Sequence, residues 1–198
     1  MFIAFEGPDN TGKSTTAASL ATDNVGLYNA TKSMHESMRE DYATWHDVEP
    51  DTVVTYDRID WFSHMVYRLA LPDREWNDER PRTVFAMPDT HLVLFTHHPQ
   101  LAEFTADEVV DTPIGKVNPM YYYFGDYFMK LNKQVEFSLF RSVTMIEVVN
   151  DQKNDVYLWK PYAFSSPIGD IVDNIGAVTL VTDPESLLDF LRYVEHVS

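Results

Sequence analysis

The chain contains no cysteine, which excludes disulfides, thiolate metal sites and a cysteine nucleophile, and accords with a reducing, cytoplasmic location. Positive charge is also scarce. Lys and Arg number 15 against 31 Asp and Glu, a formal net charge of −16. A broad basic face for a nucleic-acid duplex cannot be assembled from so few cations, so nucleic acid is argued against as a partner. A solvated acidic surface is the simplest reading, yet a few well-placed cations can still dominate one cleft for a small anion. No apolar run approaches the ~20 residues that span a bilayer, and the N-terminus lacks a basic, apolar, small-residue leader, so no membrane is expected. Repeats and low-complexity tracts are absent too. The chain has 198 residues, 44% hydrophobic and 14% aromatic, enough for one cored domain over residues 1–198.

Near the start stands Gly7-Pro8-Asp9-Asn10-Thr11-Gly12-Lys13-Ser14, a complete G-x-x-x-x-G-K-[ST] pattern. It follows a short apolar run at residues 2–5 and precedes a helix-forming segment at residues 14–21, the strand–loop–helix context this pattern requires. Gly7 and Gly12 allow a tight turn and close approach to a ligand. The loop amides and the helix N-terminus then favour an anion. The expected nucleotide-binding set is Gly7, Asp9, Asn10, Thr11, Gly12, Lys13, Ser14 and Thr15. Lys13 would bridge the outer phosphates of ATP, and Ser14 would offer its hydroxyl to Mg²⁺.

Ligands of open α/β sheets sit beyond the carboxyl ends of the strands. Strands are predicted at residues 25–30, 52–56, 91–95 and 143–149, with helices between them. Their ends deliver Lys32, Asp57, Arg58, His97 and His98 to one crevice beside the loop. Asp57 could serve Mg²⁺ or take a proton from an acceptor, and Arg58 could grip a second phosphate in a fork. Adjacent histidines on an extended segment point opposite ways, so His97 and His98 are read as structural rather than as a metal pair. A helix predicted at residues 59–71 carries Trp61 and Phe62. They are near enough to stack an acceptor base, although core packing is the usual fate of such rings.

The run Phe5-Glu6-Gly7-Pro8-Asp9-Asn10-Thr11-Gly12-Lys13-Ser14-Thr15 resembles the phosphate loop of thymidylate kinases and related deoxynucleoside kinases. Asp57-Arg58 after a strand resembles their Asp-Arg motif. Met87-Pro88-Asp89 resembles their lead into the fourth strand, and residues 123–148 their lid-to-fifth-strand segment. The resemblance implies a P-loop kinase fold, a five-stranded parallel sheet with helices on both faces, usually as a homodimer. It also implies Mg²⁺-dependent transfer of the ATP γ-phosphoryl group to a pyrimidine deoxynucleoside monophosphate. Asp9 would then approach the acceptor's sugar and Arg58 its phosphate, while Asp57 would serve Mg²⁺ or the acceptor.

Two departures stand out. Asn10-Thr11 occupy the place of a loop arginine, and the lid candidate, residues 106–127, contains none. It offers Lys116 and the aromatic patch Tyr121-Tyr122-Tyr123-Phe124 and Tyr127-Phe128, read as core or dimer packing. Arg74, Arg80, Arg82 or a partner subunit would have to supply the missing charge. Residues 154–198 read as a small strand–helix extension, with a strand at 177–181 and a helix at 185–196 capped by Asp183 and Pro184. Alternatively that unit is the last strand–helix element of the domain, and residues 143–149 form an inserted hairpin with 156–159. A deoxynucleoside kinase and a nucleotide-binding regulatory module without transfer activity stay open as other readings. The former usually carries Glu-Arg in place of Asp-Arg.

Overall fold

The computed structural model describes residues 1–9, 11–22, 27–29, 40, 42–43, 51–73, 75, 84–97, 113–134, 138–151, 156–166 and 180–197. Its elements in chain order are β1 (Phe2–Glu6), α1 (Lys13–Leu20), β2 (Leu27–Asn29), β3 (Val54–Asp57), α2 (Asp60–Ala70), β4 (Met87–His97), α3 (Pro113–Asn132), β5 (Phe140–Asp151), β6 (Val156–Ser165) and α4 (Pro184–Val197). The strands form one six-stranded sheet in the order β2-β3-β1-β4-β5-β6. The first five strands in that order run parallel, and β6 returns antiparallel to β5.

Alternation along the strands divides the core in two. Phe2 and Ala4 of β1, with Leu92 and Leu94 of β4, face α2 and α3. Ile3, Phe5, Val93 and Phe95 face the opposite side, where Ala17 and Leu20 of α1 and Leu187, Phe190, Leu191 and Val194 of α4 cover them. Burial on both faces is why these strands read as unbroken apolar runs. Each fully buried Phe, Leu or Ile contributes roughly 1.5–3 kcal/mol of transfer free energy. Among the described residues no helix is long and apolar enough to cross a membrane.

Several expectations change. The sheet has a sixth strand beyond the five predicted. Both alternatives for residues 143–149 are realised in part, because β5 is the fifth parallel strand and also one arm of a hairpin with β6. Of the strand predicted at 177–181, residues 177–179 lie outside the described residues. Leu180 is in a turn and Val181 is in no strand, its side chain buried under α4. The lid candidate falls partly on a helix. Its residues 106–112 lie outside the described residues, and 113–127 belong to α3. Val117, Tyr121, Phe124 and Phe128 repeat at helical spacing and pack into the core against α2, with the Phe62 and Tyr121 rings stacked at 6.2 Å. A segment with that apolar stripe forms a core helix.

The helix α4 begins as expected, with the Ser186 amide donating to Asp183 Oδ1 at 2.8 Å and the Asp183 amide donating to Ser186 Oγ at 3.1 Å. Farther along, Glu195 Oε1 lies 3.5 Å from Nε2 of His91, whose Nδ1 is 2.7 Å from Ser142 Oγ. Burial holds His91 below its ordinary pKa. Glu195 opposes that shift, while Arg141 and the N-terminal ammonium add to it. His91 is therefore neutral in the fold, and the unfolded chain binds its proton more readily. That difference costs nothing above the ordinary value of 6.5 and grows as pH falls below it. Urea midpoints are expected to drop between pH 7 and pH 5.5, and His91→Gln to flatten that part of the dependence.

Candidate functional site

The carboxyl ends of β1 and β4 are neighbours, and the chain leaves them in opposite directions. From β1 it crosses β3 to reach β2, and from β4 it passes to β5 on the other side. This is a topological switch point, where open α/β sheets hold their ligands. The loop that follows β1 lies there. Gly7 has φ 146°, and a Cβ on it would fall 2.4 Å from the backbone oxygen of Phe95 in β4. No side chain can occupy that position without moving a strand. Gly12, at φ 81°, supplies the left-handed turn into α1, and its carbonyl accepts from the Thr16 amide at 2.9 Å.

Lys13 opens α1 and turns inward. Its buried ammonium donates to the Pro8 carbonyl and, at 3.2 Å, to Thr11 Oγ1. Thr11 Oγ1 in turn donates to the Pro8 carbonyl at 3.0 Å. Burial, and next the charge of Arg58, push the Lys13 pKa down to about 8 against the pull of Glu6, Asp9 and Asp57. The loop thus holds a desolvated cation whose hydrogen-bond partners among the described residues are neutral oxygens.

Beside it, Ser14 Oγ donates to Asp57 Oδ2 at 2.6 Å. Register places Asp57, the last residue of β3, next to Phe5 of β1. Its other oxygen, Oδ1, is buried without a hydrogen-bond partner. A hydroxyl and a carboxylate with a spare oxygen form a hard-oxygen donor pair, which suits Mg²⁺ completed by water and phosphate. Among the described residues no group of three or more His, Asp or Glu side chains could hold a metal.

Arg58 closes the other side. It has φ 82°, a left-handed conformation uncommon outside glycine that tends to mark functional sites. Its Nη1 donates to the Gly7 carbonyl at 3.2 Å and to Tyr121 Oη at 2.8 Å, and its Nη2 meets Asp9 Oδ1 at 2.6 Å. Glu6 Oε2 is 3.8 Å away. Burial works against this charge, but Tyr121, Glu6, Tyr67 and Asp9 outweigh it and hold the guanidinium above its ordinary pKa. Glu6 is fully buried at the end of β1. It accepts from the Ile59 amide at 2.6 Å, from Ser63 Oγ at 2.9 Å and from Tyr121 Oη at 3.1 Å. Burial nevertheless raises its pKa, with Arg58 the chief opposing influence.

His97, the last residue of β4, brings Nε2 within 2.9 Å of the Asp9 carbonyl. Burial lowers its pKa and Lys13 lowers it further, so the ring is neutral near pH 7. A carbonyl partner assigns the proton to Nε2. The loop is thereby held from β3 by Arg58 and from β4 by His97.

Of the sequence-predicted residues, Gly7, Asp9, Thr11, Gly12, Lys13, Ser14, Asp57, Arg58 and His97 meet at this switch point. Thr15 is exposed on α1. Asn10, Lys32, Arg74, Arg80, Arg82 and His98 lie outside the described residues. Trp61 and Phe62 are corrected as base-stacking candidates. They are 3% and 0% exposed, and Trp61 stacks on Phe140 at 6.0 Å inside the core. Arg58 was expected to face an acceptor phosphate, but its guanidinium is engaged by the loop, Glu6 and Tyr121. Glu6, Ser63 and Tyr121 were missed. Glu6 had a signal, as an acid ending an otherwise apolar strand. Tyr121 had none beyond its helical spacing. No family model, curated protein or solved structure matches this chain.

Proposed function

We propose that this chain is a nucleotide kinase that transfers the γ-phosphoryl group of ATP, with Mg²⁺, to a pyrimidine deoxynucleoside monophosphate in the manner of thymidylate kinases. The observation that carries this reading is the Ser14–Asp57 hydrogen bond beneath a loop into which Lys13 points, with one Asp57 oxygen left unpartnered. In this reading Lys13 exchanges its Pro8 and Thr11 contacts for β- and γ-phosphate oxygens. Ser14 and Asp57 would hold Mg²⁺, which would supply neutralisation of phosphate charge. An acceptor phosphate oxygen forms a bond to the γ-phosphorus as the bond to the β–γ bridging oxygen breaks, and ADP leaves. Such an acceptor is already ionised and needs no base. A nucleoside hydroxyl would need one. Glu6 and Asp57 are buried and Asp9 is paired with Arg58, which favours the monophosphate.

ATP consumption assayed against a panel of deoxynucleosides and their monophosphates tests this reading. Turnover is expected with a pyrimidine monophosphate, and Asp57→Asn is expected to lower it at least 100-fold while the fold is kept. The second reading, a regulatory nucleotide-binding module, is favoured by one observation. Lys13 and Arg58 are the cations that the described residues bring to the loop, and both are engaged by protein groups. ATP binding with no turnover on any acceptor would establish that reading instead.

A further inference from the structure

The acceptor's base still lacks a surface, since Trp61 and Phe62 are buried. Two other rings lie at the correct edge of the sheet. Tyr122 on α3 and Tyr162 on β6 are 52% and 38% exposed. They stack nearly parallel, with centroids 6.3 Å apart and planes 16° from each other. A neighbour of each reaches toward the loop. Tyr122 follows Tyr121, whose hydroxyl contacts Arg58 and Glu6. The Tyr162 hydroxyl lies 3.4 Å from Thr96 Oγ1. Thr96 stands between Phe95, whose carbonyl abuts Gly7, and His97, which holds the Asp9 carbonyl.

The backbone at Tyr162 is irregular as well. Met145 of β5 pairs with Ala163 and Ile146 with Pro161, so Tyr162 is the extra residue of a bulge. Bulges re-aim a side chain and are frequent beside active sites. Here the bulge lies on the antiparallel strand added to the five parallel ones, and it sends the Tyr162 side chain across β5 toward β4.

We propose that the Tyr122–Tyr162 pair is the stacking platform for the base of the acceptor nucleotide, an inference that rests on the kinase reading above. The occupant is an aromatic heterocycle whose phosphate reaches the Arg58 side of the loop. Base–aromatic stacking of this kind typically changes affinity about 5- to 150-fold on truncation to alanine.

Calorimetric titration of the full chain with thymidine monophosphate and, separately, with Mg²⁺-tripolyphosphate tests the inference. Tyr122→Ala is expected to weaken the monophosphate about tenfold and leave tripolyphosphate binding unchanged. Tyr122→Phe, which keeps the ring, is expected to bind both as the parent does. Unchanged monophosphate affinity in Tyr122→Ala would overturn the platform while leaving the loop assignment intact. A change in self-association alone would also overturn it, and would assign the tyrosines to a contact between copies. Absence of tripolyphosphate binding by the parent protein would instead remove the kinase reading, and the platform with it.

Discussion

Replacing Lys13 with methionine will abolish triphosphate binding, a loss of at least 1000-fold, and will make the ligand-free protein more stable. The two effects have one cause. The ammonium is buried with a pKa pushed from 10.5 down to about 8. At ~1.4 kcal/mol per pH unit, holding it charged costs about 3 kcal/mol below pH 8. Loss of the charged hydrogen bonds to Pro8 and Thr11 offsets part of that, about 1.5–3 kcal/mol. A net gain of up to about 1.5 kcal/mol should raise the melting temperature by a few degrees in a chain of this size. Because the folded pKa is the lower one, the unfolded state binds more protons between pH 8 and 10.5. Parent stability therefore rises with pH across that window, and the methionine variant should lack this rise. Phosphate oxygens favour the charged form, so binding by the parent protein takes up a proton above pH 8 and weakens there. A residue that destabilises the fold yet is required for a ligand is characteristic of a functional site.

Replacing Arg58 with alanine will destabilise the fold by about 3–5 kcal/mol, because Glu6 is left buried without its cation. The same change frees the Gly7 carbonyl, Tyr121 Oη and Asp9 from the guanidinium. The left-handed backbone at Arg58 separates two components of that loss. Arg58→Gly should be about 1 kcal/mol less damaging than Arg58→Ala, since glycine adopts this φ without strain. Glu6→Gln added to Arg58→Ala should restore part of the stability by removing the unpaired charge. Urea unfolding of the single and double variants measures the coupling directly. Additive losses would mean that Glu6 and Arg58 do not act as a pair.

How much of this was legible beforehand differs by element. The apolar run at residues 2–5 and the compact run at 52–56 announced β1 and β3, because burial on both faces leaves a continuous signal, and the glycine pattern announced the tight turn between β1 and α1. The crevice residues Asp57 and Arg58 were legible as the ends of a strand. Their partners were not. Glu6 and Tyr121 are 115 positions apart, and nothing local in either segment announces that they meet. For the aromatic helix α3 the resemblance suggested a lid segment, while its aromatic patch was read as core or dimer packing; Tyr121 and Phe128 do pack in the core against Phe62. The hairpin partner β6 was seen as one alternative, and its bulge at Tyr162 leaves no mark in the sequence.

The central claim is that the loop from Gly7 to Ser14, with Asp57 beneath it, is built for a triphosphate. Calorimetric titration of the parent protein and Lys13→Met with Mg²⁺-ATP, at pH 7.5 and pH 9, tests it most directly. The expected result is one saturable site in the parent, weaker at the higher pH, and none in the variant. No heat from the parent at millimolar nucleotide, or equal binding by Lys13→Met, would contradict the account.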